Sequence, residues 1–233
     1  MSKDINAIVT DIEGTTSSLS FVKDILFPYA YENLPGFIEE HADEKDVEAI
    51  LEAVREEENN PELSDREVVE VLLRYMDEDK KVTPLKTLQG MIWEKGYEDG
   101  SLHGHIYEDA AEGLKRWKGQ GLKLYIYSSG SIAAQKLLFA NTPEGDLTPL
   151  FSGYFDTTTG GKKEIESYEK IAQEIGLPAE EILFLSDSTE EIEAASAAGF
   201  NVIILDREGV LFDALGHDVM HDFKEILPGK VDA

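Results

Sequence analysis

Ile5-Asn6-Ala7-Ile8-Val9-Thr10 runs directly into Asp11-Ile12-Glu13-Gly14-Thr15-Thr16, and the reading of this junction decides the fold. The first six residues are rich in β-branched side chains and end at a glycine-containing turn, which predicts a buried strand. Asp11 and Glu13 then stand two residues apart at the strand's carboxyl end. In an open α/β sheet that edge is where ligands bind. Two carboxylates facing one crevice suit a hard divalent cation such as Mg²⁺. The same residues also fit an acidic turn whose Thr15 or Thr16 caps a helix, and the stretch alone leaves both readings open.

Three further elements carry the same kind of signal, each at the end of a strand or before a helix. Leu122-Lys123-Leu124-Tyr125-Ile126-Tyr127 reads as a strand that enters Ser128-Ser129-Gly130-Ser131. Two hydroxyls, a glycine and the start of a helix over 132–140 make a phosphate cradle, because free N–H groups and the helix N-terminus favour an anion. A serine N-cap on that helix explains the same residues equally well. Gly160-Gly161-Lys162-Lys163 precedes an amphipathic helix over 165–175, so that Lys162 can reach a phosphate or simply face solvent. Finally, Ile182-Leu183-Phe184-Leu185 is an apolar strand ending in Ser186-Asp187-Ser188. Asp187 is either a further metal ligand or part of a helix cap in which Ser188 and Glu191 form a capping box.

Their order along the chain is more specific than any one of them. Strand-Asp-x-acid-x-Thr, strand-Ser, glycine-Lys and strand-Asp make up the motif series of the haloacid dehalogenase superfamily, which this chain resembles. Asp11-Ile12-Glu13-Gly14-Thr15-Thr16, with Glu13 where most phosphatases of that superfamily carry a second Asp, narrows the resemblance to the enolase-phosphatase (acireductone synthase) family. The segments 125–131, 134–139, 155–157, 182–187 and Leu88-Gln89-Gly90-Met91-Ile92-Trp93 are similar to that family as well, as is Lys162 six residues before Tyr168. The similarity covers nearly the whole chain and departs only at the acidic stretch Glu56–Ser64.

The resemblance implies an α/β protein with a doubly wound, mostly parallel sheet and a helical cap inserted after the first strand. Residues 1–16 and 101–233 are then the catalytic core and residues 17–100 the cap. In keeping with this, segment 17–121 shows no convincing strand. Phe21–Asn33 (broken by Pro28), Phe37–Glu57, Arg66–Asp79 and Leu85–Lys95 read as helices. Ser64 with Glu67 predicts a capping box, and Thr83 before Pro84 an N-cap with proline at the first helical position. From Tyr107 onward, helix and strand alternate: 107–120, 122–127, 132–140, a short strand 154–157, 165–175, 182–185, 189–198 and 201–205. That alternation predicts parallel pairing.

The implied activity is bifunctional: 2,3-diketo-5-methylthiopentyl-1-phosphate, an intermediate of methionine salvage, is enolised and then dephosphorylated to the acireductone. Asp11 is the expected nucleophile and Glu13 the expected acid–base group. One Mg²⁺ is expected on Asp11, Asp187 and the backbone carbonyl of Glu13. Lys162, Ser128 and the N–H of Ser129 are expected on the phosphate. Glu reaches about 1.5 Å further than Asp, which is compatible with an extra proton transfer at a substrate carbon. The enolisation base is not identified; Glu13 is one candidate and a cap residue another. A plain phosphatase for another small phosphomonoester is an alternative that the Asp-x-Glu spelling opposes. A phospho-accepting receiver domain is disfavoured by the insert after the first strand.

Composition agrees with a soluble enzyme. The chain has 233 residues, no cysteine and a formal net charge of −27. Absent cysteine removes disulfides, thiol catalysis and thiolate metal sites. The negative charge argues against nucleic acid and anionic membranes as partners. It does not exclude a phosphate ester as substrate, because exposed charges are screened beyond about 8 Å at physiological salt. Met1-Ser2-Lys3-Asp4 starts no signal-peptide pattern, so the expected setting is cytoplasmic and the expected state monomeric. His103 and His105, with Glu108 nearby, are poorly spaced for a metal and fit better as a hinge where the insert returns.

Overall fold

The computed structural model describes residues 4–80, 82–211 and 213–227, so Met1 to Lys3 of the expected leaderless start lie outside the described residues. The chain forms two compact units: Met1–Leu19 with Gly104–Ala233, and Ser20–His103.

The first unit is built on a six-stranded sheet of β1 (Ala7–Thr10), β2 (Lys123–Tyr127), β3 (Gly153–Phe155), β4 (Ile182–Ser186), β5 (Asn201–Leu205) and β6 (Asp218–Met220). The strand order is β3-β2-β1-β4-β5-β6, and every neighbouring pair is parallel. Every residue of β1 and β4 is buried, as expected for strands covered on both faces. Helices Glu108–Gly119, Ile132–Ala140, Ile165–Ile175 and Thr189–Ala197 supply the crossovers. One side of the sheet packs Val9, Tyr127 and Phe184 against Tyr168, Ile171 and Ile192 from those helices. Because β2 lies on one side of β1 and β4 on the other, strand order reverses at β1. Crevices in doubly wound sheets open at such reversals, outside the carboxyl ends of the strands. Thr10 is in register with Ile126 and with Leu185, so the residues after β1, β2 and β4 emerge side by side.

The second unit is helical, with Phe27–His41, Lys45–Glu57, Asp65–Asp77 and Thr83–Asp99 around Leu34, Ile38, Leu51, Leu72, Leu88 and Ile92. The capping box at Ser64 forms in both directions, the Ser64 N–H donating to Glu67 at 2.8 Å. Other expectations change. The helix expected over 37–57 is two helices, separated at 42–44. Pro28 does not break its helix; a wide π turn over Val22–Leu26 runs into Phe27–His41, with the Phe27 N–H reaching Val22 O. The wider turn moves the carbonyl row ahead of Pro28, which has no N–H to give and would crowd the carbonyl four residues back. Thr83 lies inside its helix and Val82 is the N-cap residue. In the first unit β3 starts at Gly153 rather than Tyr154, and β6 has no counterpart in the sequence reading because three residues with one apolar face are too short a pattern. No helix among the described residues is long and apolar enough to cross a membrane.

Candidate active site at the carboxyl edge of the sheet

Asp11 leaves β1 with its N–H bound to Leu185 O at 2.9 Å, and the chain then curls tightly. The amides of Thr15, Thr16 and Ser17 all donate to Ile12 O, at 3.2, 3.0 and 2.8 Å. The curl requires Gly14 twice over. Its φ is +71°, and a Cβ there would stand 2.1 Å from Asp187 Oδ2. The Asp187 carboxylate therefore lies against the backbone of the Asp11 loop, and the Asp187 N–H donates to Thr15 Oγ1 at 3.1 Å. Glu13 stands half-buried on the same loop, two residues beyond Asp11.

Lys162 enters from the turn before helix Ile165–Ile175. Its ammonium lies 2.5 Å from Asp11 Oδ1 and 2.8 Å from Glu191 Oε2, with the side chain 11 % exposed. Two tyrosines fix this turn from within the core: Tyr168 donates to Lys162 O at 2.6 Å and Tyr127 to Gly160 O at 3.0 Å. Burial works against the Lys162 charge, but Asp11 and Glu191 outweigh it and hold the ammonium above its ordinary range. Lys163 points away and pairs with Glu190 on the surface.

Glu191 is a site residue that the sequence reading missed. Ser188 Oγ does accept the Glu191 N–H, but the carboxylate does not return to the Ser188 amide as a capping box requires. It turns inward to Ser186 Oγ at 2.8 Å and to Lys162. A buried ammonium offers more to a carboxylate than one backbone amide does. The only sequence signal was an acidic residue four positions after Asp187, where a cap explained it fully.

Asp11 and Glu191 pair with the Lys162 ammonium, and the Asp187 carboxyl shares the same buried, acid-rich place. Burial, then the charges of Asp11 and Glu191, push the Asp187 carboxyl up to about 7. The same burial and Asp11 raise Glu191, with Lys162 opposing. Among the described residues no three His, Cys, Asp or Glu side chains are arranged to hold a metal by themselves. The donor chemistry nonetheless fits an oxygen-bound divalent cation, with two carboxylates, one backbone carbonyl, and local charge that such an ion would neutralise.

Ser128 follows β2, two residues beyond the partner of Thr10, and is buried; its hydroxyl accepts the Gly130 N–H at 3.3 Å. Ser129 is exposed, and Ser131 is the residue that caps the following helix, accepting from Ala134 N–H. The loop is held by buried Gln135, which donates to Gly130 O at 2.8 Å and Phe155 O at 2.9 Å. His105 accepts the Ser18 N–H at Nδ1, which fixes the remaining ring proton on Nε2, and the same nitrogen meets Ser17 Oγ at 3.0 Å. Its pKa is lowered by burial. It ties the chain just before Leu19 to the chain just after His103.

An acidic loop after β1, a buried lysine reaching it from another turn and a second acidic loop after β4 are the features of a haloacid dehalogenase-like hydrolase, and the model of that hydrolase family matches residues 5–199. Among known proteins the chain is 56 % identical over 223 residues to "Enolase-phosphatase E1" of Pseudomonas aeruginosa (strain LESB58), covering 96 % of this chain and 98 % of that one. It is 52 % identical to the protein of the same name from Sulfurihydrogenibium sp. (strain YO3AOP1), covering 97 % and 100 %. The crystal structure of the UTR4 protein of Saccharomyces cerevisiae superposes with a TM-score of 0.84 at 34 % identity, covering 96 % of this chain and all of that one. The chain belongs to the enolase-phosphatase family of haloacid dehalogenase-like hydrolases.

Proposed function

We propose that this chain enolises 2,3-diketo-5-methylthiopentyl-1-phosphate and then hydrolyses its phosphate, giving the acireductone of methionine salvage. The observation that carries the chemistry is the buried contact of Lys162 with Asp11. It supports a reading in which a carboxylate nucleophile stands beside a lysine held cationic, at the sheet edge where ligands of such folds bind.

Asp11 attacks phosphorus in line, forming an aspartyl-phosphate as the bond to the substrate alkoxide breaks. Glu13 gives a proton to the leaving oxygen. The resulting Glu13 carboxylate then takes a proton from water as that water attacks phosphorus, releasing inorganic phosphate and restoring Asp11. Such acid–base help contributes about 10²–10⁴ in rate. Lys162 neutralises phosphoryl oxygen as a point charge, while Glu191, Tyr168 and Tyr127 keep it on target. Ser128 and the N–H of Ser129 hold one phosphoryl oxygen. Asp11, Asp187 and the carbonyl of Glu13 would hold Mg²⁺. The ion supplies positive charge against the approach of carboxylate to phosphate, a repulsion of about 4 kcal/mol per charge pair at 4 Å with an effective dielectric of 20. Enolisation breaks a C–H bond beside a carbonyl, the electron pair forming the C=C bond as the carbonyl oxygen takes up a proton; Glu13 is one candidate base for the carbon and a cap residue another. We read the cap of the family, expected over residues 17–100, as the compact unit Ser20–His103, and the setting as cytoplasmic with a monomeric enzyme.

The test is phosphate release with Mg²⁺ from the diketo phosphate beside a panel of sugar phosphates. A strong preference for the diketo phosphate is expected. Equal rates across the panel would reduce the protein to a general phosphatase.

A further inference from the structure

Arg207 follows β5 in the turn Asp206-Arg207-Glu208-Gly209. Its side chain is only 8 % exposed. Nε and Nη2 both donate to the carbonyl of Thr15, at 3.1 and 2.7 Å, and Nη1 donates to Asp109 Oδ2 at 2.7 Å. That same Asp109 oxygen accepts the Phe223 N–H at 2.8 Å. The guanidinium also lies 4.3 Å from the ring centre of Tyr107 and 5.0 Å from that of Phe223. A planar fork with three of its donors used and two aromatic neighbours is held in one orientation.

Thr15 is the residue through which this matters. It is fully buried, and its N–H closes the curl onto Ile12 O. Its hydroxyl accepts the Asp187 amide, and its carbonyl accepts Arg207. Arg207 thus grips the peptide that joins the Asp11 loop to the Asp187 loop. We propose that Arg207, oriented by Asp109, is a positioning residue that holds the Asp11 and Asp187 loops in mutual register for the divalent cation. The assignment rests on the Mg²⁺ reading given above for what the register serves, but not for the register itself.

Two measurements separate these. One is amide hydrogen exchange at Asp187, which reports the Thr15 contact without any ligand. The other is calorimetric titration with MgCl₂ alone. Arg207→Lys keeps the charge but cannot place two donors on one carbonyl while pairing with Asp109. Arg116→Lys is the control, because Arg116 donates to Phe223 O and Ile226 O and so supports the same C-terminal segment without touching Thr15. Arg207→Lys should speed Asp187 exchange at least about tenfold and weaken Mg²⁺ binding about 10- to 100-fold, the usual range for an outer partner of a metal site. Arg116→Lys should change neither by more than about twofold on the same scale. Unchanged exchange in folded Arg207→Lys overturns the assignment, as does an equal effect in Arg116→Lys. Faster exchange with unaltered Mg²⁺ affinity reduces Arg207 to a structural tie and overturns it too. Should Arg207→Lys not fold, Asp109→Asn must show the same two changes in smaller degree, and its failure to do so has the same meaning. A parent protein that binds no Mg²⁺ sinks the metal reading, while the exchange result still decides whether Arg207 holds the loops.

Discussion

Lys162 and Arg55 each stand between two carboxylates. In the sheet unit Lys162 lies 2.5 Å from Asp11 and 2.8 Å from Glu191; in the helical unit Arg55 lies 2.6 Å from both Glu52 and Asp65. The cations are buried alike, at 11 % and 12 % exposure, but the carboxylates are not. Those around Lys162 are 6 % and 12 % exposed, those around Arg55 60 % and 52 %. Exposed carboxylates keep most of their hydration, so the Arg55 triad works as a local staple. Its Nε also donates to Leu63 O at 2.7 Å, closing the loop between two helices. The Lys162 triad has surrendered its water, and each of its charges leans on the others. Distances are similar in both places; what differs is desolvation, which couples the charges strongly around Lys162 and only weakly around Arg55.

The largest effect is expected at Asp11. Asp11→Asn keeps the shape but leaves no nucleophile, so phosphate release should stop. Enolisation needs no attack on phosphorus, and a conjugated enol phosphate should accumulate, visible by ultraviolet absorbance. Neither enol nor phosphate from a variant that still binds Mg²⁺ and substrate would mean that enolisation itself needs the Asp11 charge.

Next comes Lys162→Ala, which should lower kcat/KM for phosphate release by about 10²–10³ and leave Asp11 and Glu191 facing each other without a counter-charge. Lys163→Ala, one residue on, should match the parent because Lys163 pairs with Glu190 at the surface. Steady-state kinetics on both variants decides the point, and reversed effects would refute the placement of the turn.

A smaller change is expected at Asp187. Chelation should abolish turnover, Mg²⁺ should restore it, and Zn²⁺ should serve poorly with oxygen ligands alone. Asp187→Asn should raise the Mg²⁺ concentration for half-maximal rate at least several-fold; an unaltered requirement would remove Asp187 from the metal.

The smallest effect belongs to the surface triad. Arg55→Ala should lower the unfolding free energy from a denaturant titration by about 1 kcal/mol, with kcat/KM unchanged. A loss of several kcal/mol would show that exposure understates the coupling at Arg55, and the contrast with Lys162 would fail.

Much of this architecture was legible locally. The β1–Asp11 junction, the strands β2, β4 and β5, and the helices between them follow from apolar runs and period, because β1 and β4 are buried throughout, β2 and β5 are apolar after their first residue, and each helix buries one face. Ser64 with Glu67 could be read because a capping box is complete within four residues. Other features are settled at longer range. The helix expected over 37–57 is interrupted at residues 42–44, and Pro28 is absorbed by a π turn whose terminal carbonyl, Leu26 O, is satisfied by the distant Trp93 indole at 2.9 Å. The poorly patterned stretch Glu56–Ser64 is ordered by Arg55, whose partners lie on both sides of it.

The same division holds at the active edge. Asp11, Glu13, Ser128, Lys162 and Asp187 are named by sequence because each sits beside its own strand end or glycine turn, and the order of those signals is specific. Glu191 and Arg207 have no such local mark. A carboxylate three residues after a serine looks like a cap until a lysine from another crossover competes for it, and an arginine in an acidic turn looks solvated until Thr15 and Asp109 arrive from distant segments. Sequence alone determined which candidate groups stand at the carboxyl edge of the sheet, since strand ends are written in short-range hydrophobic pattern. Tertiary structure decided which groups hold them in place, since a buried charge takes its partner from whichever chain segment the fold brings within hydrogen-bonding reach.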